Sequence, residues 1–183
     1  MKMLARTQFG DPVLARRARP VPRSFLRTEQ FRALVRDMFF TMRRANGVGL
    51  AAPQIGRSLQ LAVIEVKPSK VRPDVRSIPP TVIVNPRIVE RSKAYENDWE
   101  GCLSLGGVRG KVPRHRTIKV RYEDALGNPR MIKLAGFSAR VFQHEIDHLS
   151  GVVYVERMKD MKTLMTTGEF KKRILRQRGL RSR

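Results

Sequence analysis

Apolar residues recur at helical spacing between residues 28 and 46. Phe31, Leu34, Val35, Met38, Phe39 and Met42 fall on one face. Thr28 can accept from the first-turn amides, Glu29 suits the positive helix end, and Gly47 is the expected stop. The Met and Phe stripe reads as core. Beyond it the period shortens, and strands are expected at residues 59–66, 81–84 and 87–89. The charged, Pro-rich stretch 67–80 between them reads as an exposed loop. Residues 117–122 alternate, 124–128 turn and 130–134 return, the pattern of a hairpin. A second helix is expected at 137–149, with Gly136 ahead of it and Ser150-Gly151 as its stop. Val152-Val153-Tyr154-Val155 reads as a short strand or turn, and 162–178 carries only a weak helical pattern. Helix first, strands in the middle and helix later predict an α+β architecture over a doubly wound α/β one.

The chain has 183 residues, enough for one well-packed domain. Residues 1–168 are assigned to that domain and 169–183 to a basic C-terminal tail. The net charge is +22, from 38 basic and 16 acidic residues. Residues 171–183 hold seven Lys and Arg and no acid, which leaves +15 on the body. Such a field attracts polyanions and speeds encounter with them. No apolar run approaches the length needed to span a bilayer, so no membrane partner is expected. The first residues lack an apolar signal core, which predicts a cytoplasmic protein; a processed organellar form is also compatible. The single cysteine, Cys102, excludes an intrachain disulfide and fits a reducing compartment.

The chemistry concentrates in His144-Glu145-Ile146-Asp147-His148. On a helix, positions i and i+4 share a face, so His144 and His148 can grip one metal ion. Glu145 then stands beside that ion, where a general base for a metal-bound water is needed. Val141, His144, Glu145 and His148 fall at i, i+3, i+4 and i+7. Two of the three histidines of the chain sit in this one stretch; the third is His115. A hydrolytic site needs a third protein ligand and one open position. Glu156 is the nearby candidate downstream. Cys102 is the better one: its thiolate is a strong ligand, and it sits beside Gly101 in the short polar stretch Glu100-Gly101-Cys102-Leu103-Ser104. A lone cysteine is more often a small buried hydrophobe; the missing third ligand reverses that preference here.

Three segments together resemble the signature motifs of the peptide deformylases. They are Gly47-Val48-Gly49-Leu50-Ala51-Ala52-Pro53-Gln54, Glu100-Gly101-Cys102-Leu103-Ser104 and the His144–His148 stretch, in the family's order. The resemblance extends from Gly10-Asp11-Pro12-Val13-Leu14 to about Tyr154. It implies a single α+β domain with antiparallel sheets packed around a central metal-binding helix. It implies removal of the formyl group from N-formylmethionyl nascent peptides. Carried over position by position, Cys102, His144 and His148 would be metal ligands and Glu145 the general acid/base. Gln54 and the backbone N–H of Leu103 would donate to the oxyanion. Gly49 would hold the substrate backbone, with Gly101 and Arg109 nearby, and Glu100 would pair with Arg114. Val48, Phe137 and Val141 would line a pocket suited to methionine. The implied ion is Fe(II), with Zn(II), Ni(II) or Co(II) also accepted by this donor set. Ribosomal RNA is an economical partner for the basic surface and tail. Two features depart from the family: Gly106-Gly107 stands where a proline is usual, and Phe137 where the nearest subgroup has tryptophan. The alternatives are another metal-dependent amidase or peptidase, and a basic RNA-binding protein with a structural metal, which would need a fourth ligand.

Overall fold

The computed structural model describes residues 1–69, 73 and 75–176. Its element order is α1 (Arg23–Leu26), α2 (Glu29–Arg44), β1 (Gly49–Ala51), β2 (Leu61–Val66), β3 (Ile78–Arg91), β4 (Tyr95–Cys102), β5 (Leu105–His115), β6 (Thr117–Glu123), β7 (Pro129–Ala135), α3 (Gly136–Leu149), β8 (Met165–Thr166) and α4 (Thr167–Phe170). Two antiparallel sheets form, ordered β1-β2-β3-β6-β7 and β4-β5-β8. The architecture is the expected α+β one.

The larger sheet is covered on both faces. On one, Ile64, Ile83, Ile118, Val120 and Leu134 pack against Val141 and Phe142 of α3. On the other, Leu61, Val63 and Val84 pack against Phe31, Met38 and Met42 of α2. Helix α2 starts as read: the Thr28 hydroxyl accepts from Phe31 N–H at 3.1 Å. Its stop differs. Asn46, not Gly47, takes the left-handed turn at φ 54°. Gly47 is instead required by packing, since a Cβ there would lie 2.8 Å from Leu103 Cδ1.

The two strands expected at 81–84 and 87–89 are one strand, β3, broken only by a register shift between Val84 and Arg87. Asn85 sits in that bulge at φ 49°, and its side-chain amide bonds both Val21 N–H and Val21 C=O, at 2.8 and 3.1 Å. The loop after β2 ends at Ser77, shorter than expected, because Ile78 is already buried in β3; residues 70–72 and 74 of it lie outside the described ones. The hairpin of β6 and β7 pairs from Thr117↔Ala135 to Glu123↔Pro129. Residues 154–157 form a 3-10 turn, not a strand. The weak pattern at 162–178 resolves into a 3-10 turn, β8, α4 and a π turn at Lys171–Leu175; residues 177–183 lie outside the described ones.

Helix α3 is the central element. Ten of its fourteen residues are buried, including Arg140, Gln143, His144, Glu145 and His148. So polar a helix is buried only if its side chains find partners, and those partners build the site.

Candidate metal centre

The cysteine-bearing segment is a hairpin that sequence periodicity did not reveal. Strands β4 and β5 pair from Tyr95↔His115 to Cys102↔Leu105, closed by the two-residue turn Leu103-Ser104. Cys102 is therefore the last residue of β4, aimed at α3. Its Sγ lies 3.2 Å from His148 Nε2, and ligand atoms of Cys102, His144 and His148 all fall within 4.8 Å of one another. No fourth carboxylate or imidazole joins this group among the described residues. Glu156 is elsewhere: its carboxylate caps Val153 N–H at 2.7 Å.

Glu100 holds the group in place. It is 5 % exposed and accepts from three cationic or ring donors. Arg114 donates bidentately, Nε to Oε1 at 2.8 Å and Nη2 to Oε2 at 3.0 Å. Arg140 Nη1 donates to Oε1 at 2.8 Å. His144 Nδ1 lies 2.9 Å from Oε2. A carboxylate only accepts, so Nδ1 carries the proton and Nε2 is left with its lone pair for a metal. Burial pushes the Glu100 carboxyl up, but the hydrogen bonds and charges of His144 and Arg114 outweigh it and hold it well below the usual range. Arg114 also reaches Asp147, which Arg157 engages in turn.

The two imidazoles titrate in opposite directions. Burial lowers both, yet the Cys102 sulfur and Glu100 raise His144 well above its ordinary value. His148 stays well below, disfavoured further by the positive charge of His144 and Arg114. One positive charge is thus favoured amid the thiol and the two rings, and a cation satisfies the same demand. His148 Nδ1 and Glu145 Oε2 are buried without a protein hydrogen-bond partner. Burial raises the Glu145 carboxyl to about 7. A thiolate, two imidazole lone pairs and an unengaged carboxylate oxygen fit a divalent transition ion and its water.

The remaining expected residues surround this group. Cys102, His144 and Glu145 open onto a cavity of about 820 Å³. Gln54, Leu103 and Gly49 line it beside them; so do Val48, Phe137 and Val141, with Gly101 and Arg109 at another wall. His148 is fully buried behind the lining. Gln54 is held by its own backbone turn: its Oε1 accepts from Ala51 N–H at 2.8 Å, which turns Nε2 to the Cys102 sulfur at 3.2 Å. A Cβ on Gly49 would overlap the Glu145 carboxylate, and one on Gly101 would meet the Arg109 side chain at 2.7 Å. The bare backbone leaves the Glu145 carboxylate its place at Gly49 and lets the Arg109 side chain lie against Gly101.

Two supporting residues escaped the sequence reading. Arg140 bonds Glu100 and also the carbonyls of Glu96, Asp98 and Val112, at 2.6, 3.3 and 2.7 Å. Gln143 bonds both backbone groups of His115. The available signal was their place on α3: Arg140 lies one turn before His144, where a charge within a buried helix demands a partner.

The chain is similar in sequence and fold to known proteins. The family model described as Polypeptide deformylase matches residues 3–164. Peptide deformylase 2 of Nostoc sp. is 38% identical over 173 residues, covering 94% of this chain and 96% of that protein. Peptide deformylase 1 of Bordetella pertussis is 47% identical over 154 residues, 84% and 86% of the two chains. Among solved structures, the Met-Ala-Ser-bound class I type b peptide deformylase of Acinetobacter baumannii superposes with a TM-score of 0.82 at 36% identity, covering 86% of this chain and 99% of that one. The Thermotoga maritima peptide deformylase gives 0.78 at 37% identity, covering 87% and 100%.

Proposed function

The chain belongs to the polypeptide deformylase family of hydrolases, and we propose that it removes the formyl group from N-formylmethionyl nascent peptides with Glu145 as general acid/base. The observation that supports this most directly is the convergence of Cys102, His144 and His148, with the partnerless Glu145 oxygen beside them, on one cavity. A divalent cation held by those three residues would act as a Lewis acid, acidifying a water and polarising the formyl carbonyl.

The protein's own groups do the rest. Glu145 takes the proton of the attacking water and returns it to the leaving amine. Gln54 Nε2, already fixed by the Ala51 bond, and the Leu103 N–H donate to the oxygen on which negative charge develops. Glu100 keeps His144 in one tautomer and one orientation. Val48, Phe137 and Val141 form the apolar wall for the methionine side chain, and Gly49 presents bare backbone to the peptide. The Acinetobacter neighbour, solved with Met-Ala-Ser, supports a peptide in the corresponding cleft.

The family resemblance supports Fe(II) as the native ion, with Zn(II), Co(II) or Ni(II) accepted. Anaerobic purification with metal analysis and a formyl-Met-Ala assay on one sample tests ion and reaction together. Glu145→Gln should retain metal and lose deformylation; a fully active variant defeats the assignment. Equal turnover of formyl-Met-Ala and formyl-Asp-Ala would defeat the methionine pocket. A cytoplasmic site of action is part of the same proposal; no helix among the described residues is long and apolar enough to cross a membrane. The charge of +22 supports ribosomal RNA as a partner of the basic surface and tail. Ribosome co-sedimentation should weaken when the chain ends at Gly168, and unchanged binding would remove the tail from that role.

A further inference from the structure

The cavity has a wall that the metal centre does not explain. The family model ends at residue 164, yet Thr167, Phe170, Lys171 and Leu175 line the same cavity as Cys102 and Glu145. That segment is anchored. Strand β8 pairs with β5 at Val108↔Thr166 and Arg109↔Met165. The Thr166 hydroxyl accepts from Glu169 N–H at 3.2 Å and starts α4. Phe170, 8 % exposed, lies 5.2 Å from the ring of Trp99, and the Arg109 guanidinium stands 5.7 Å over it.

The charges on this wall are unbalanced. Glu169 pairs with Arg173 at 2.6 Å and Lys172 at 4.0 Å. Lys171 and Arg109 pair with no carboxylate among the described residues. The acidic residues that line the cavity are Glu100, taken up by Arg114 and Arg140, and the buried Glu145. Two cations with no carboxylate partner among the described residues thus line the cavity with Phe170, Arg109 standing over its ring. Bare glycine at 101 lets the Arg109 side chain cross β4 to reach this position.

We propose that residues 165–175, together with Arg109 of β5, form a subsite for the part of the peptide beyond its first residue, in which Lys171 and Arg109 select an acidic side chain. The proposal rests on the deformylase reading for the direction in which the peptide lies. The segment adds Lys171 to Arg109 and so contributes to a charge preference among formylated peptides.

The test compares kcat/KM for formyl-Met-Ala-Glu and formyl-Met-Ala-Lys. Exposed charge pairs of this kind discriminate by about two- to fivefold. The wild-type protein should favour Glu by about that factor, through KM, with kcat alike for the two peptides. Higher salt should shrink the preference. Lys171→Glu should abolish or invert it, whereas Lys172→Glu, the same charge change one residue along and already engaged with Glu169, should leave the ratio as it was. An unaltered ratio in Lys171→Glu, or an equal shift in both variants, overturns the subsite. The reaction itself is tested separately. Binding of unformylated Met-Ala-Glu and Met-Ala-Lys can be followed by fluorescence of Trp99, the single tryptophan of the chain, against Phe170. Discrimination in binding without turnover of any formylated peptide would retain the subsite and reject the reaction; no discrimination in binding rejects the subsite.

Discussion

Replacing Gly49 by Ala should remove most activity while leaving the fold and the metal centre in place. A Cβ at that position would stand 2.6 Å from Glu145 Cδ and 2.8 Å from Cγ, where ordinary contact begins near 3.4 Å. Glu145 must then retreat by nearly an ångström. Its backbone is fixed in α3, so the carboxylate must swing away from its resting position toward the cavity it lines. A displacement of about 1 Å at a reacting group costs about 10²-fold in rate, or ~2.7 kcal/mol of barrier. The three atoms nearest the new methyl all belong to Glu145, so bound metal should stay stoichiometric. The assay is kcat and KM on a formyl-Met peptide, with metal content and thermal midpoint on the same preparation. A double-mutant cycle separates this clash from general damage. Glu145→Asp withdraws the carboxylate by one methylene and is itself slow; adding Gly49→Ala to it should cost less than about threefold, because the overlap has gone. If the two losses multiply, or if Gly49→Ala retains wild-type kcat with full metal content, the contact is not what fixes the base.

The other predictions concern the charges around α3. In chelated protein, the Glu145 carboxyl is raised from 4.5 to about 7, so the folded state holds its proton more tightly than the unfolded one. The associated stability is present below pH 4.5 and is lost as pH rises through 7. Glu145→Gln has no such loss, so at pH 8 the metal-free variant should exceed metal-free wild type by roughly 3 kcal/mol, while the two match near pH 4; parallel denaturation curves at both pH values would refute this. Glu100→Gln strands Arg140 and weakens the hold on His144. It should cost about 3–5 kcal/mol, roughly 6–20 °C in thermal midpoint, and lower metal affinity about 10- to 100-fold, read by chelator competition. Gln54→Ala should lower kcat by about 10²–10³-fold with metal retained; a change confined to KM would deny the amide its role as oxyanion donor.

The sequence made α2, α3 and the β6–β7 hairpin legible because their periodicity is local. Phe31, Met38 and Met42 mark one face whatever surrounds them, and β6 alternates Ile118 and Val120 against outward Lys119 and Arg121. The β4–β5 hairpin was not legible. Its first strand, Tyr-Glu-Asn-Asp-Trp-Glu-Gly-Cys, has neither alternation nor strand propensity, and its partner carries Gly106, Gly107 and Pro113. The strand character there comes from contacts distant in sequence, above all Arg140 of α3 binding the carbonyls of Glu96, Asp98 and Val112. Asn85-Pro86 produced the opposite error, punctuation that reads as a loop but serves as a bulge anchored on Val21. At the site, the spacing of His144 and His148 is a local property of a helix. That Cys102 would meet them depends on the hairpin, and periodicity alone did not contain it.

These long-range contacts converge on Glu100, and that explains why a charged cluster occupies the middle of a small protein. A buried carboxylate between two guanidinium groups is usually no better for stability than apolar packing. Here the same carboxylate faces two elements, β5 through Arg114 and α3 through both Arg140 and His144. An apolar replacement fills the volume but cannot fix the imidazole tautomer or draw the end of β4 onto α3. A cation held at the centre would add a further constraint, because it would bind only when Cys102 and both imidazoles are assembled. A ligand that binds only the native state stabilises it, by about 4 kcal/mol when present at 1,000-fold its dissociation constant. Fold and site are therefore coupled through one residue: the ion pairs that bring the hairpin to the helix also assemble the ligand set, and occupation of that set returns stability to the ion pairs.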